Sequence, residues 1–175
     1  MTTFLLVLVA LIVAFLIYVM LRPNEFRIER SATIERKSPE EVFALLNDFR
    51  QWRKWSPWEA MDPNLQRSFG GNESGVGAVY SWKGNKKVGE GRMEIIESKP
   101  AAFVRLKLDF IAPMKANNMT DFNTMSQGNG TRVIWSMYGP SPFMSKLFGA
   151  IVNIDKMVGK DFEKGLANIE AELNR

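Results

Sequence analysis

An unbroken apolar run from Phe4 to Leu21, closed by Arg22 and Pro23, constrains this chain more than any other feature. It holds no charged residue, no Gly and no Pro, and fourteen of its eighteen positions are Leu, Ile, Val or Phe. A helix of that length spans about 27 Å, against a hydrocarbon core of about 30 Å. On an insertion scale those fourteen residues contribute roughly −4 to −8 kcal/mol with nothing charged to oppose them. Three readings compete. A cleaved signal needs a basic start, a shorter apolar stretch and small residues at a cleavage site; here only Met1, Thr2 and Thr3 precede the run, and Tyr18-Val19-Met20-Leu21 ends it. A helix buried in a soluble core normally keeps a polar stripe, and this one has none. The run is therefore read as an uncleaved single-pass anchor over residues 1–23, with one domain over 24–175. Arg22, Arg27, Arg30, Arg36 and Lys37 follow the run and no basic residue precedes it. The positive-inside rule then places the domain in the cytoplasm.

About 150 residues remain, enough for one domain with a real core. The net charge of +4 arises from 23 basic and 19 acidic residues without a dense basic block, so nucleic acid is not an indicated partner. Cysteine and histidine are both absent. Their absence removes thiolate nucleophiles, cysteine metal sites, the usual acid–base group near neutrality and every Ser-His or Cys-His arrangement. No cofactor or metal is implied.

Phe26, Ile28, Ala32 and Ile34 share one parity and predict a strand. Ser38-Pro39-Glu40-Glu41 then starts a helix, with a Ser cap, Pro at the first position and Glu41 completing a capping box. Trp52, Trp55 and Trp58 recur every three residues, as in short helical turns with the indoles on one side. They close one end of a core, or else form an interfacial belt beside Arg53 and Lys54. From about Gln66 to Tyr138, alternating segments are separated by glycine-rich turns, the pattern of an antiparallel sheet with one buried face. Leu147, Ile151, Ile154, Val158, Phe162, Leu166, Ile169 and Leu173 predict one long helix over about 143–173, interrupted by Gly149, Gly159 and Gly165. Those glycines imply close packing on the sheet or room left for something else. This final helix must cover the sheet, so the fold class is α+β, a curved antiparallel sheet gripping a long C-terminal helix.

The element order resembles the helix-grip fold of the SRPBCC superfamily, which includes START, pollen-allergen and polyketide cyclase/dehydrase-like proteins. Ile34 with Ser38-Pro39-Glu40-Glu41-Val42-Phe43 carries the resemblance, as do Phe49-Arg50-Gln51-Trp52 and Trp55-Ser56-Pro57-Trp58. Gly75-Val76-Gly77, Gly128-Asn129-Gly130-Thr131-Arg132-Val133 and the terminal helix extend it over residues 26–173. The resemblance implies a cavity between sheet and C-terminal helix holding a hydrophobic or amphipathic small molecule, lipid-like or polyketide-like. It carries no shared catalytic signature.

By parity the sheet residues facing that helix are Tyr80, Trp82, Met93, Ile95, Leu106, Leu108, Phe110, Phe122, Val133, Trp135 and Met137. Ile151, Ile154 and Val158 should face them from the helix. Ten methionines suit an adaptable apolar lining, although the same residues equally describe an ordinary core. Glu90, Glu94, Asp109, Asp121 and Tyr80 are acid–base candidates only if buried, and Glu94 and Asp109 fall on the solvent parity. Asn117 and Asn118 are candidate polar contacts or turn residues. The sequence therefore reads as a membrane-tethered binding module without a catalytic residue. A cyclase/dehydrase-type enzyme and a pocketless interaction domain are the alternatives.

Overall fold

The computed structural model describes residues 2–175. Helix α1 (Thr2–Leu21) is apolar on every side and long enough to cross a bilayer. Only Val19 in its last turns is buried, against α3 (Phe143–Ile151). Lys146 of α3 donates from Nζ to the Met20 carbonyl at 3.3 Å and to Asn24 Oδ1 at 2.6 Å. A cation on the last carbonyls of a helix satisfies acceptors that have no partner within the helix and complements its dipole.

Seven strands form one antiparallel sheet: β1 (Glu25–Ile34), β2 (Gln66–Gly71), β3 (Ala78–Lys83), β4 (Glu90–Lys99), β5 (Phe103–Ala112), β6 (Ala116–Gln127) and β7 (Gly130–Pro140). The spatial order β1-β7-β6-β5-β4-β3-β2 makes β2 to β7 a meander, with β1 returned to its far edge. The alternation read from the sequence holds: Val104, Leu106 and Leu108 are buried on the face that carries Ile95, Phe122, Val133 and Trp135.

Helix α2 (Pro39–Leu46) begins at the capping box, Ser38 accepting from the Glu41 amide and Glu41 from the Ser38 amide. Two short 3₁₀ turns, Gln51–Lys54 and Pro57–Ala60, follow. The three-residue spacing turns Trp52 and Trp55 inward, where their indole N–H groups donate to the Leu46 and Leu45 carbonyls at 3.1 and 3.2 Å. Those carbonyls end α2, so the tryptophans cap the helix while filling the sheet. The cluster belongs to the core, not to a membrane belt.

The long terminal helix is broken. It divides into α3 and α4 (Ile154–Leu173), with Val152 extended and Asn153 accepting from the Lys156 amide at 2.8 Å. An Asn cap followed by Asp155 in the first turn starts a new helix, and the apolar spacing runs through the break without registering it. Helix α4 crosses the buried face of the sheet, and two of its glycines are sites of close approach. A Cβ on Gly165 would stand 2.6 Å from the Trp135 ring, and one on Gly159 would run into the Arg30 guanidinium. Gly149 lies in α3, with only ordinary contacts around it.

Arg30 shares the parity of Ile28 and reaches across to α4, where it meets Asp155 Oδ2 and Glu163 Oε1, each at 2.9 Å. These hydrogen bonds hold the Asp155 carboxyl below its ordinary value of 3.8. A carboxylate depressed in the folded state stabilises the fold above its unfolded pKa and loses that contribution as pH falls through the folded one. Arg30→Ala is thus expected to lower the melting temperature near neutral pH. The gap from the parent should narrow as pH falls below about 4, followed by circular dichroism.

Candidate functional site

Parity places side chains on the buried face, but position along the strands decides what covers them. At the end bearing the β6–β7 turn, α2 and the two tryptophans fill the space over Ile95, Leu106, Phe122 and Val133, which are solidly buried. Toward the other end the cover is the first half of α4 and the second 3₁₀ turn, and a cavity of about 360 Å³ is left. Tyr80, Trp82, Met93, Leu108, Phe110, Trp135 and Met137 line it from the sheet, and Val158 from the helix. Of the fourteen residues expected at the site these eight come together. Ile154 packs at the edge of the core outside the cavity. Ile151 does not face the sheet: it ends α3, on the far side of the helix break, and is 74% exposed.

The remaining lining includes Trp52, Ser56, Trp58, Glu59, Met61 and Leu65 around the 3₁₀ turns, with Thr120, Asp161 and Phe162 from β6 and α4. Lys87 and Val88 come from the β3–β4 loop and Met157 from the start of α4. Lys87 and Met157 are the exposed members and mark the mouth. Thr120 was legible, since it shares the parity of Phe122; the loop residues carry no periodicity that would have found them.

The wall is mostly hydrocarbon with a few polar groups. Trp135 Nε1 and Thr120 Oγ1 are enclosed and have no hydrogen-bond partner, in residues only 2% and 4% exposed. A buried donor left unpaired costs about 1–3 kcal/mol, so such atoms are ordinarily satisfied. Tyr80 donates its hydroxyl to Glu59 Oε1 at 2.5 Å, and Glu59 Oε2 accepts from Arg67 Nε at 2.6 Å. Burial, reinforced by the Glu59 carboxylate, pushes the Tyr80 hydroxyl well above its ordinary range and keeps it protonated. Burial also raises the Asp161 carboxyl.

The other acid–base candidates lie outside the cavity. Asp121 is buried, but on the opposite face of the sheet, where Arg105 grips both its oxygens at 2.8 and 2.9 Å and Tyr138 donates at 3.2 Å. Glu94 pairs with Arg92 and Asp109 with Lys107 on that same face, and Glu90 pairs with Lys83. Asn117 and Asn118 line a separate groove with Glu25, Lys107 and Tyr138.

A seven-stranded sheet closed by a C-terminal helix, with an apolar cavity in the seam, defines the helix-grip class of α+β proteins. The family model described as polyketide cyclase / dehydrase and lipid transport matches residues 25–174, and the chain belongs to that family. Solved structures share the fold at low identity. Protein CV1439 from Chromobacterium violaceum is 15% identical, with a TM-score of 0.59 over 87% of this chain and 99% of that one. Protein Ms6760 from Mycobacterium smegmatis is also 15% identical, at 0.60 over 85% and 90%. Ginseng major latex-like protein 151 from Panax ginseng is 17% identical, at 0.57 over 86% and 98%. No curated protein matches the sequence.

Proposed function

We propose that this chain is a membrane-tethered binding module, divided into an anchor over 1–23 and a helix-grip domain over 24–175. It holds a hydrophobic or amphipathic small molecule between sheet and α4, in a cytoplasmic domain. The observation that carries this reading is the void itself, about 360 Å³ in a sheet–helix seam that is otherwise filled. That volume lies within the range of small-molecule sites, which are typically apolar with a few placed polar groups. Glu59, Tyr80 and Asp161 put a few polar groups on an otherwise apolar wall, which suits an amphiphilic ligand. Basic residues just after α1 support the orientation.

A cyclase/dehydrase-type reaction is the second reading, supported by the family description and by the Tyr80–Glu59 pair on the cavity wall. Within it, Asp161, whose carboxyl is raised by burial, is the proton carrier on the wall, since the Tyr80 hydroxyl is already given to Glu59.

The test combines extraction with one substitution. Mass spectrometry of small molecules co-purifying with residues 24–175 is expected to recover an apolar or amphipathic compound. Thr120→Val removes an enclosed hydroxyl that has no partner, so the domain should gain about 1 kcal/mol while affinity for that compound stays near the parent's. Recovery of a substrate–product pair that the protein interconverts would favour the enzyme. If nothing apolar co-purifies and fluorescent fatty probes do not bind, the chain is a pocketless scaffold.

A further inference from the structure

Antiparallel register fixes which loops share an end of the sheet. Glu25 pairs with Pro140, Lys83 with Glu90, Glu90 with Ala112 and Phe110 with Ala116. The exit from α1, the entry to α3, the β3–β4 loop and the β5–β6 hairpin therefore all lie at one end. The cavity is displaced toward that end, and its mouth lies between Lys87 of the β3–β4 loop and Met157 near the start of α4.

The same end is apolar where it meets solvent. Ile111 and Met114 are exposed at the β5–β6 hairpin, and Phe143, Met144, Phe148 and Ile151 are exposed on α3. Lys86 and Lys115 stand exposed in the two loops. Helix α3 is not free to turn this surface elsewhere, because buried Lys146 ties it to the Met20 carbonyl and Asn24 at the foot of α1. With α1 across a bilayer, its last turn lies at the level of the headgroups. A short helix held there with apolar side chains outward, flanked by lysines, has the composition of an interfacial helix.

We propose that α3 and the β5–β6 hairpin seat this end of the domain on the bilayer surface, and that the cavity mouth opens onto that surface. The ligand then passes between membrane and cavity without crossing bulk water. The proposal rests on the tethered binding module described above.

The full chain contains no cysteine, so single labels can be placed cleanly. Met114→Cys, Met144→Cys and, at the opposite end, Asn129→Cys would each carry an environment-sensitive fluorophore in phosphatidylcholine–phosphatidylglycerol vesicles containing a lipid-borne quencher. Quenching is expected at 114 and 144 and not at 129. If the chain floats with the vesicles but all three labels remain equally accessible to water, the seated surface is refuted and the tether stands. If the chain does not float, both readings fall. Shielding of 144 that depends on protein concentration and not on lipid quencher would assign the surface to a second copy and overturn the proposal. In the kinetic arm, Phe148→Asp with Ile151→Asp should slow transfer of a fluorescent fatty acid from vesicles several-fold, with its equilibrium affinity in detergent unchanged. An unchanged transfer rate would refute exchange through the membrane-facing mouth.

Discussion

Trp55→Ala is expected to lower the unfolding free energy of the domain by about 3–5 kcal/mol, the range for truncating a buried aromatic. Trp55 is 1% exposed and lies where three elements meet. Its ring centroid is 4.7 Å from Trp52, 5.6 Å from Trp135 and 6.1 Å from Phe122. Its N–H donates to the Leu45 carbonyl, and its own carbonyl accepts from Asn168 of α4 at 2.8 Å. Alanine would open a large void and also leave the Leu45 carbonyl without that donor, so two penalties act together. Against a stability of about 5–15 kcal/mol for an ordinary domain, the loss is at least about a fifth of the total. Urea titration of residues 24–175 measures it as a shift in midpoint at constant slope. Trp55→Phe keeps most of the ring contacts and should lose markedly less. A loss under about 1 kcal/mol for the alanine variant would mean that this end of the sheet is not packed solid.

Much of the architecture was legible because its signals are local. The uncharged run announces α1, Ser38 and Glu41 announce α2, and alternation across β5 and β7 separates the buried face from the wet one. The break at Val152-Asn153 was not legible from apolar spacing, because Ile151, Ile154 and Val158 keep steps of three and four across it. Its signal was Asn153 as a cap, two residues ahead of an acid. The cavity was half legible for a related reason. Parity gives the face of a strand but not the distance along it, so Leu106 and Leu108 look alike in sequence. One lies under the Trp52–Trp55 end and the other in the void, a difference set by α2 and the 3₁₀ turns, which are remote in the chain. The polar wall was half legible: Thr120 keeps the parity of Phe122, whereas Glu59 and Lys87 sit in segments without period.

That distinction yields the second large expected effect, a pair of substitutions with opposite outcomes. Leu108→Trp places an indole in empty space at the centre of the cavity wall. Filling a void adds contacts without displacing any, so stability should hold or rise. Binding of a fluorescent fatty probe should fall by about tenfold or more, since each 1.4 kcal/mol of lost burial is a factor of ten. Ile95→Trp makes the same kind of change one pair further along the sheet, at a side chain with no exposure and no void beside it. There the extra volume must displace neighbours, and overpacking of this kind costs about 1–3 kcal/mol and sometimes more. The probe affinity of whatever fraction folds should be close to that of the parent. The contrast separates a ligand cavity from a loosely packed core, in which either tryptophan would be absorbed and neither would change binding. If Leu108→Trp destabilises the domain as strongly as Ile95→Trp, the seam is closed in solution and the binding function proposed for it fails.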